Sequence, residues 1–388
     1  MTQKNTLLKL LPVMLAFFVM GFVDLVGTIT NFVKEDFGLS DSVAKLLPAM
    51  AFFWFFILSV PTGLLVNKIG RRKTVVLSLA VTSLALLVPA LVLMVPDLYT
   101  FPVMMVSFSL LGIGNTLIQV SINPLISNLI NEKKLASTMT FGQFVKAIAS
   151  FFGPLVATWA SVSFGNWMLL FPIFMTVSIL ATLWLGLTKI EEEKEQGNGT
   201  GFVDCLKLLG NGVILLSFVG IMCHVGIDVG INTSAPEIMK EYFGMTPEDA
   251  GISLSIYFFF RLTGCLIGTF VLARWSGKRF FILSVLLMAV AITGLIAFHS
   301  KEVVYICIAF MGLGNSNIFP VIVSQVLLRI PDRKNEVSGL MIMGLIGGSI
   351  FPLLMGKVSD MMGSQTGALI ILGFAVLYLL AFSPKLKK

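Results

Sequence analysis

Charged residues are scarce in this sequence: only 12% of its 388 residues are Asp, Glu, Lys or Arg, about half the fraction usual in soluble domains. Hydrophobic residues make up 56% of the chain. This balance excludes an ordinary soluble domain and indicates a membrane protein. The chain also lacks the alternating segments of about ten residues that build outward-facing β-barrels, so we expect helices to cross the bilayer.

The motifs of catalysis and of ATP-driven transport are missing as well. We find no metal-ligand cluster, no credibly placed Ser-His-Asp set and no phosphate-binding P-loop. The four cysteines, at 205, 223, 265 and 307, lack the paired spacing of metal ligands and are expected to pack as thiols. We therefore expect no enzyme, no metal and no cofactor, apart from a coupling ion.

Twelve stretches are apolar enough to cross a bilayer as helices, which takes about 20 residues each. They lie near 8–30, 43–66, 74–95, 99–130, 135–162, 166–188, 210–236, 248–273, 280–298, 303–329, 337–362 and 366–383.

Basic residues are distributed unequally between alternate loops. Assigning the amino terminus and every second loop to one side gives that side twenty Lys and Arg, whereas the other side has four. Because the basic side faces the cytoplasm, both termini are predicted to be cytoplasmic. We interpret the net charge of +7 as the result of these basic cytoplasmic loops, so nucleic acid is not an expected partner. No cleavage pattern follows the first apolar run, so we expect it to be retained as a span.

A polar segment, KIEEEKEQGNGTG at 189–201, divides the spans into six and six. We predict an amino-terminal bundle over 1–188, a cytoplasmic linker over 189–209 and a carboxy-terminal bundle over 210–388.

The two halves share short sequences in the same order, as parallel repeats do. NFVKEDFGLSDSVA at 31–44 resembles EIMKEYFGMTPEDA at 237–250, and GIGN at 112–115 recurs as GLGN at 312–315.

The segment GLLVNKIGRRKT at 63–74 resembles the loop signature of the major facilitator superfamily. The resemblance implies an all-α integral membrane fold, with twelve helices in two parallel six-helix repeats that rock to give alternating access. It also implies a cytoplasmic latch formed by this loop. Asn67 occupies the position where the signature has an acidic residue, so the charged version of the latch is in question. The gating residues implied are Gly63, Asn67, Gly70, Arg71 and Arg72.

Within that superfamily the chain is similar to sugar porters of the fucose-permease type. The resemblance rests on Asp24 in span 1 and on QVSINP at 119–124 in span 4. It implies a sugar substrate and a coupling role for Asp24. The subfamily has a glutamate where this chain has Gln119, which leaves both proton and sodium coupling open.

Toward the middle of the spans, four charged side chains stand out, namely Asp24, Lys146, Asp228 and Arg261. A charge at the centre of a membrane helix costs about 2.5–3.5 kcal/mol on insertion scales, which indicates function. Two interpretations stay open: Asp24–Lys146 and Asp228–Arg261 are fixed ion pairs that steady each half, or they exchange partners with substrate and ion. His224, one turn before Asp228, either shares a proton with it or is a packing residue.

Polar side chains on the same helices are predicted to bind substrate, because amides offer donors and acceptors to hydroxyl groups. The alternative is that they hold membrane helices together. Asn315 and Asn317 are expected to lie at the opening of helix 10, that is, at its start. The predicted substrate-binding set is Asn115, Gln119, Asn123, Gln143, Lys146, Tyr257, Arg261, Asn315 and Asn317.

The leading hypothesis is a symporter that imports a small sugar or sugar acid by alternating access, driven by a proton or sodium gradient. A drug or metabolite exporter and a non-transporting sugar sensor are the alternatives. We expect a multi-pass protein of the bacterial inner membrane, in contact with the lipid bilayer and monomeric.

Overall fold

A computed structural model describes residues 3–39, 43, 46–192, 201–245 and 247–387. Within this part of the chain, twelve helical segments are long and apolar enough to cross a membrane, as predicted, and no strand is present. The helices are Gln3–Met20 and Val26–Phe37 (span 1), Leu46–Ile69 (span 2), Arg71–Val92 (span 3), Phe101–Leu129 (span 4), Glu132–Phe164 (span 5), Leu170–Leu187 (span 6), Gly212–Phe243 (span 7), Ile252–Leu272 (span 8), Gly277–Ala297 (span 9), Lys301–Asn315 and Ile318–Arg329 (span 10), Lys334–Met343 and Gly347–Met362 (span 11) and Thr366–Phe382 (span 12). Two short helices, Phe202–Lys207 and Pro247–Ala250, lie between spans.

The chain forms two compact units. Unit 1 comprises Met1–Asn131, Val145–Leu206 and Ile330–Met343, and unit 2 comprises Glu132–Phe144, Lys207–Arg329 and Gly344–Lys388. These units are defined by contacts, whereas the boundaries expected from the sequence follow the repeat. The bundle boundaries at 188 and 210 stay a prediction.

Three spans are interrupted where the sequence suggested continuous helices. Span 1 contains a turn of 3-10 helix at Gly21–Leu25, span 10 breaks between Asn315 and Ile318, and span 11 contains a 3-10 turn at Gly344–Ile346. Mid-helix 3-10 turns are frequent at functional hinges. The length of each apolar stretch predicted where the spans lie, but it did not predict where their helices are interrupted.

The repeated Gly-x-Gly-Asn sequence joins three helices in unit 1. A Cβ on Gly112 would lie 2.3 Å from the carbonyl oxygen of Ala51, so spans 2 and 4 approach to backbone contact there. A Cβ on Gly114 would lie 2.5 Å from Oγ1 of Thr82, in span 3. Small residues permit such close helix packing in membranes.

Unit 2 repeats this packing with its own copy of the sequence. A Cβ on Gly312 would lie 2.5 Å from the carbonyl oxygen of Tyr257 in span 8, and one on Gly314 would lie 2.7 Å from that of Ser284 in span 9. The echoed sequence thus has the same packing role in both units.

The other repeated sequence, at 31–44, connects the end of span 1 to later loops of unit 1. Oδ2 of Asp36 accepts hydrogen bonds from the Tyr99 hydroxyl at 2.6 Å and from Nε1 of Trp167 at 2.9 Å. Burial, followed by this hydrogen bond, raises the pKa of Tyr99 above its ordinary value of 10.0. The phenol therefore remains a donor throughout the physiological pH range.

In unit 2 the matching segment uses different chemistry. Glu241 accepts hydrogen bonds from the Ser364 hydroxyl at 2.6 Å and from the backbone N–H of Gln365 at 2.7 Å. The rings of Tyr242 and His299 lie 4.4 Å apart. Each unit thus ties the end of its first span to later loops.

Candidate functional site

Asp24 lies in the 3-10 turn of span 1, where span 5 comes closest. A Cβ on Gly21 would lie 2.5 Å from the carbonyl oxygen of Lys146, so only glycine allows this approach. Oδ2 of Asp24 consequently lies 3.3 Å from Nζ of Lys146 and accepts a hydrogen bond from the Ser150 hydroxyl at 2.6 Å. The predicted pair is confirmed. The Asp24 side chain nevertheless remains 32% exposed.

The predicted amide stripe of span 4 forms a continuous ladder. Nδ2 of Asn115 donates to the carbonyl oxygen of Met20 at 2.7 Å, Nε2 of Gln119 donates to Oδ1 of Asn115 at 2.7 Å, and Nδ2 of Asn123 donates to the Gln119 carbonyl oxygen at 3.1 Å. All three amides are buried. Asn115 satisfies a backbone carbonyl next to the break in span 1, so the ladder supports the turn that holds Asp24.

One end of this ladder has an acceptor that no described residue uses. No described residue donates a hydrogen bond to the side-chain oxygen of Gln119, which is 8% exposed. Gln143 is half-buried in span 5 and makes no side-chain hydrogen bond to a described residue. These two amides have unused hydrogen-bonding capacity, whereas Asn115 is fully engaged in holding helices together.

In unit 2, Asp228 bridges spans 7 and 8. Its Oδ2 lies 3.1 Å from a terminal guanidinium nitrogen of Arg261, and its Oδ1 accepts a hydrogen bond from the Tyr257 hydroxyl at 2.5 Å. The predicted Asp228–Arg261 pair is therefore confirmed. The Asp228 side chain is 15% exposed and the Arg261 side chain is 26% exposed, whereas Tyr257 is fully buried.

His224 connects to this pair through Asn315. Nδ1 of His224 lies 2.8 Å from Oδ1 of Asn315, and Nδ2 of Asn315 donates to the His224 carbonyl oxygen and to the Tyr257 hydroxyl, both at 3.3 Å. The route from His224 to Asp228 therefore runs through Asn315 and Tyr257. Asn315 also matches Asn115 of unit 1, because Met20 and His224 each precede the aspartate by four residues.

The expectation that Asn315 and Asn317 open helix 10 is wrong. They lie in the middle of span 10, at the break between its two helices. Asn317 donates to the carbonyl oxygen of Gly264 at 2.8 Å and to the Ser316 hydroxyl at 2.6 Å. Asn and Ser side chains compete with the helix for backbone groups, which accounts for the break. Oδ1 of Asn317 is buried without a hydrogen-bond partner in the described part of the chain.

The predicted gating loop is held by a residue that the sequence did not single out, Asn335 at the start of span 11. Nε of Arg71 donates to Oδ1 of Asn335 at 2.8 Å, and Nδ2 of Asn335 donates to Oδ1 of Asn67 at 2.6 Å. A Cβ on Gly63 would lie 2.8 Å from the Asn335 carbonyl oxygen. With Asn67 in the acidic position, an amide–amide hydrogen bond holds the loop at the place where the superfamily signature has a carboxylate.

Glu192 completes this loop from the beginning of the linker. Its two carboxylate oxygens accept the backbone N–H groups of Arg71 and Arg72, each at 2.6 Å, at the start of span 3. A carboxylate is stabilising at a helix amino terminus, because unpaired N–H groups and the helix dipole meet there. Gly70 precedes them with φ of 93°, a conformation that favours glycine. Arg72 donates to the carbonyl oxygens of Leu185 and Gly186 in span 6.

Among the described residues, no group of three or more His, Cys, Asp or Glu is placed so that it could hold a metal ion. All four cysteines are buried free thiols. Cys205 lies outside the spans, and burial, followed by the charge of Glu336, raises its pKa to about 11. The thiolate is therefore scarce at neutral pH, and reactivity is not expected of this residue.

Sequence reasoning missed Ser150, Asn335 and Glu192. Ser150 lies one turn after Lys146 on the same helix face, a spacing that could have identified it. Asn335 and Glu192 contact the loop from 264 and 121 residues away, respectively. No local sequence pattern indicates either contact.

The sequence model of the Major Facilitator Superfamily matches this chain over residues 13–233 and again over residues 216–387. A glucose/galactose transporter of Brucella abortus is 26% identical over 93% of this chain and 90% of its own length. The L-fucose-proton symporter of Escherichia coli is 23% identical over 90% of this chain and 86% of its own length. The crystal structure of the superfamily transporter FucP in the outward conformation superimposes with a TM-score of 0.86, at 17% identity, covering 99% of this chain and 100% of FucP. Because these relatives are transporters, the expectation that this chain is a transporter and not an enzyme is confirmed. The matches of the family model over both halves show that this chain belongs to the Major Facilitator Superfamily.

Proposed function

We propose that this protein is a symporter that imports a small sugar across the bacterial inner membrane by alternating access, coupled to a proton or sodium gradient. The observation that carries the proposal is Asp24, a partly exposed carboxylate held by Lys146 and Ser150 at a break in span 1. Similarity to the glucose/galactose transporters and to the fucose-proton symporter supports a sugar substrate.

Asp24 is suited to coupling because its charge state determines its contacts. Ionised, it attracts Lys146 and accepts the Ser150 hydroxyl; protonated, it no longer attracts the ammonium group. A bound sodium ion would instead take the place of Lys146 beside the carboxylate. In either case the ion releases Lys146, and a change in this contact alters the junction between spans 1 and 5. Asp228 offers unit 2 an equivalent carboxylate, with His224 linked to it through Asn315 and Tyr257.

Charge balance favours a neutral hexose over a sugar acid. Two cations toward the middle of the spans, Lys146 and Arg261, are each already paired with an aspartate. A carboxylated sugar would have to displace an aspartate from its partner and leave that aspartate unpaired in a medium of low dielectric constant. A neutral sugar can instead hydrogen-bond to the exposed edge of an ion pair and, in unit 1, to the side-chain oxygen of Gln119.

Radiolabelled uptake into proteoliposomes tests the substrate and the ion separately. Galactose, glucose and fucose are compared with galacturonate, under an imposed proton gradient and under an imposed sodium gradient. We expect accumulation of a neutral sugar under one gradient. Preferential uptake of galacturonate, lost in Lys146→Ala or Arg261→Ala, would show that the substrate is anionic; binding without uptake would indicate a sensor.

Asp24→Asn is the matched test of coupling, because it preserves shape and removes the titrating group. We predict that this variant loses gradient-driven accumulation but retains sugar exchange between the two sides. Asp97→Asn, in the exposed loop after span 3, is the control and should accumulate sugar normally. Uphill transport by Asp24→Asn would show that another group carries the ion.

A further inference from the structure

A basic cavity opens on the surface of unit 2 between spans 8 and 9. Its volume is about 470 Å³. Its lining consists of Arg274, Trp275, Ser276, Arg279, Ile282 and Leu283. The first four lie at or next to the loop, and the last two on the first turns of span 9, so the cavity is polar at one end and apolar at the other.

Two arginines face this cavity without a counter-ion. Arg274 and Arg279 are exposed, and neither forms an ion pair with a described acidic residue. The corresponding loop of unit 1 is different, since the carboxylate of Glu192 accepts the backbone N–H groups of Arg71 and Arg72 there. The cavity of unit 2 is lined by two arginines and by no acidic residue of the described chain.

The apolar end continues along span 9. Leu283, Leu286 and Val290 are 52%, 44% and 64% exposed, respectively, and their spacing of three and four residues places them on one helix face. Trp275 is 55% exposed beside the arginines, a position typical of an aromatic side chain at the membrane–water interface. Together these residues form an apolar track that starts at a cationic pocket.

We propose that this cavity binds an anionic phospholipid, with Arg274 and Arg279 donating hydrogen bonds to the phosphodiester and one acyl chain lying along Leu283, Leu286 and Val290. Guanidinium groups match phosphate geometry through paired N–H donors. The loop belongs to the basic, cytoplasmic side predicted from the sequence, where anionic lipids concentrate. A soluble phosphate would fill the charged end but would gain nothing from the apolar track.

Binding to the purified full-length protein in detergent tests this proposal. Phosphatidylglycerol is titrated and the bound lipid is counted by native mass spectrometry, with phosphatidylcholine and glycerol phosphate run at equal concentration. We expect retention of phosphatidylglycerol alone, and the double variant Arg274→Gln/Arg279→Gln should weaken it by about 25-fold, since each basic residue near an anionic lipid contributes about fivefold.

The matched control is Lys133→Gln/Lys134→Gln, which removes two exposed cations from the first turn of span 5, on the same predicted side. It should bind phosphatidylglycerol like the parent protein. Arg279→Gln alone gives an intermediate loss and serves if the double variant is poorly expressed. Equal lipid loss in the control, or full displacement of the lipid by glycerol phosphate, would overturn the proposal.

Discussion

Asn115 and Asn315 each link a helix that holds an aspartate to a neighbouring span. Each donates a hydrogen bond to the backbone carbonyl four residues before the aspartate of its unit, at 2.7 Å for Met20 and 3.3 Å for His224. Within the bilayer the Met20 carbonyl, beside the interruption of span 1, has no water to replace this bond. These two amides, which the sequence predicts to bind substrate, therefore also hold the aspartates in position.

We predict that Asn115→Ala lowers thermal stability, because a buried carbonyl left without a donor costs about 1–3 kcal/mol. The measurement is the melting temperature of the purified protein in detergent. Asn131→Ala is the control, since Asn131 is exposed and its side chain makes no capping hydrogen bond. Equal melting of the two variants would show that the Asn115 bond is dispensable.

Individual residues were predictable where they broke a strong rule. Charges in apolar spans are expensive, so Asp24, Lys146, Asp228 and Arg261 were evident, and their pairing followed from opposite sign. Ser150 and Asn335 carry no such signal, because hydroxyl and amide side chains are tolerated in spans in many contexts. Their roles depend on neighbours that only the folded chain supplies.

At the level of helices, the repeated glycines determine how closely spans pack. Gly112 faces backbone atoms of Ala51, which cannot move aside as a flexible side chain can. We predict that Gly112→Ala destabilises the protein by about 1–3 kcal/mol through overpacking. Reduced yield of folded protein and a lower melting temperature are the measurements.

Gly356→Ala is the matched control for that substitution. Gly356 also lies inside a membrane helix, but no atom lies within 4 Å of the position of an added Cβ. The alanine should therefore be neutral or stabilise span 11 by about 0.5–1 kcal/mol through helix propensity. If both glycine variants behave alike, close packing at Gly112 is not what limits stability.

The start of span 3 depends on a carboxylate from outside the span. We predict that Glu192→Gln lowers stability by about 0.5–2 kcal/mol, because it removes a charge and one acceptor from the helix amino terminus. The neighbouring Glu191→Gln is the control, since Glu191 is exposed. Thermal melting of both variants decides the matter, and an equal loss in Glu191→Gln would assign the effect to net charge.

For the whole molecule, composition and the internal repeat predicted the architecture, because a bilayer constrains helix length and sequence duplication preserves helix order. They could not predict the interruptions of spans 1, 10 and 11. Those depend on close approaches between distant segments, such as Gly21 to Lys146 and Gly268 to Asn317. Hydropathy is insensitive to such contacts, since it registers only how apolar each stretch is.

The two neutral ion pairs also have an electrical consequence. Because Asp24 and Lys146 cancel, as do Asp228 and Arg261, reorientation of the empty carrier should move little net charge through the membrane field. A single cation loaded with a neutral sugar would add one charge, worth about 2.3 kcal/mol per 100 mV. We predict transient currents on solid-supported membranes only when sugar and coupling ion are both supplied, and none from Asp24→Asn. Sizeable currents from the empty carrier would mean that one pair separates during the cycle, so that membrane voltage, besides the ion gradient, would set the direction in which the carrier rests.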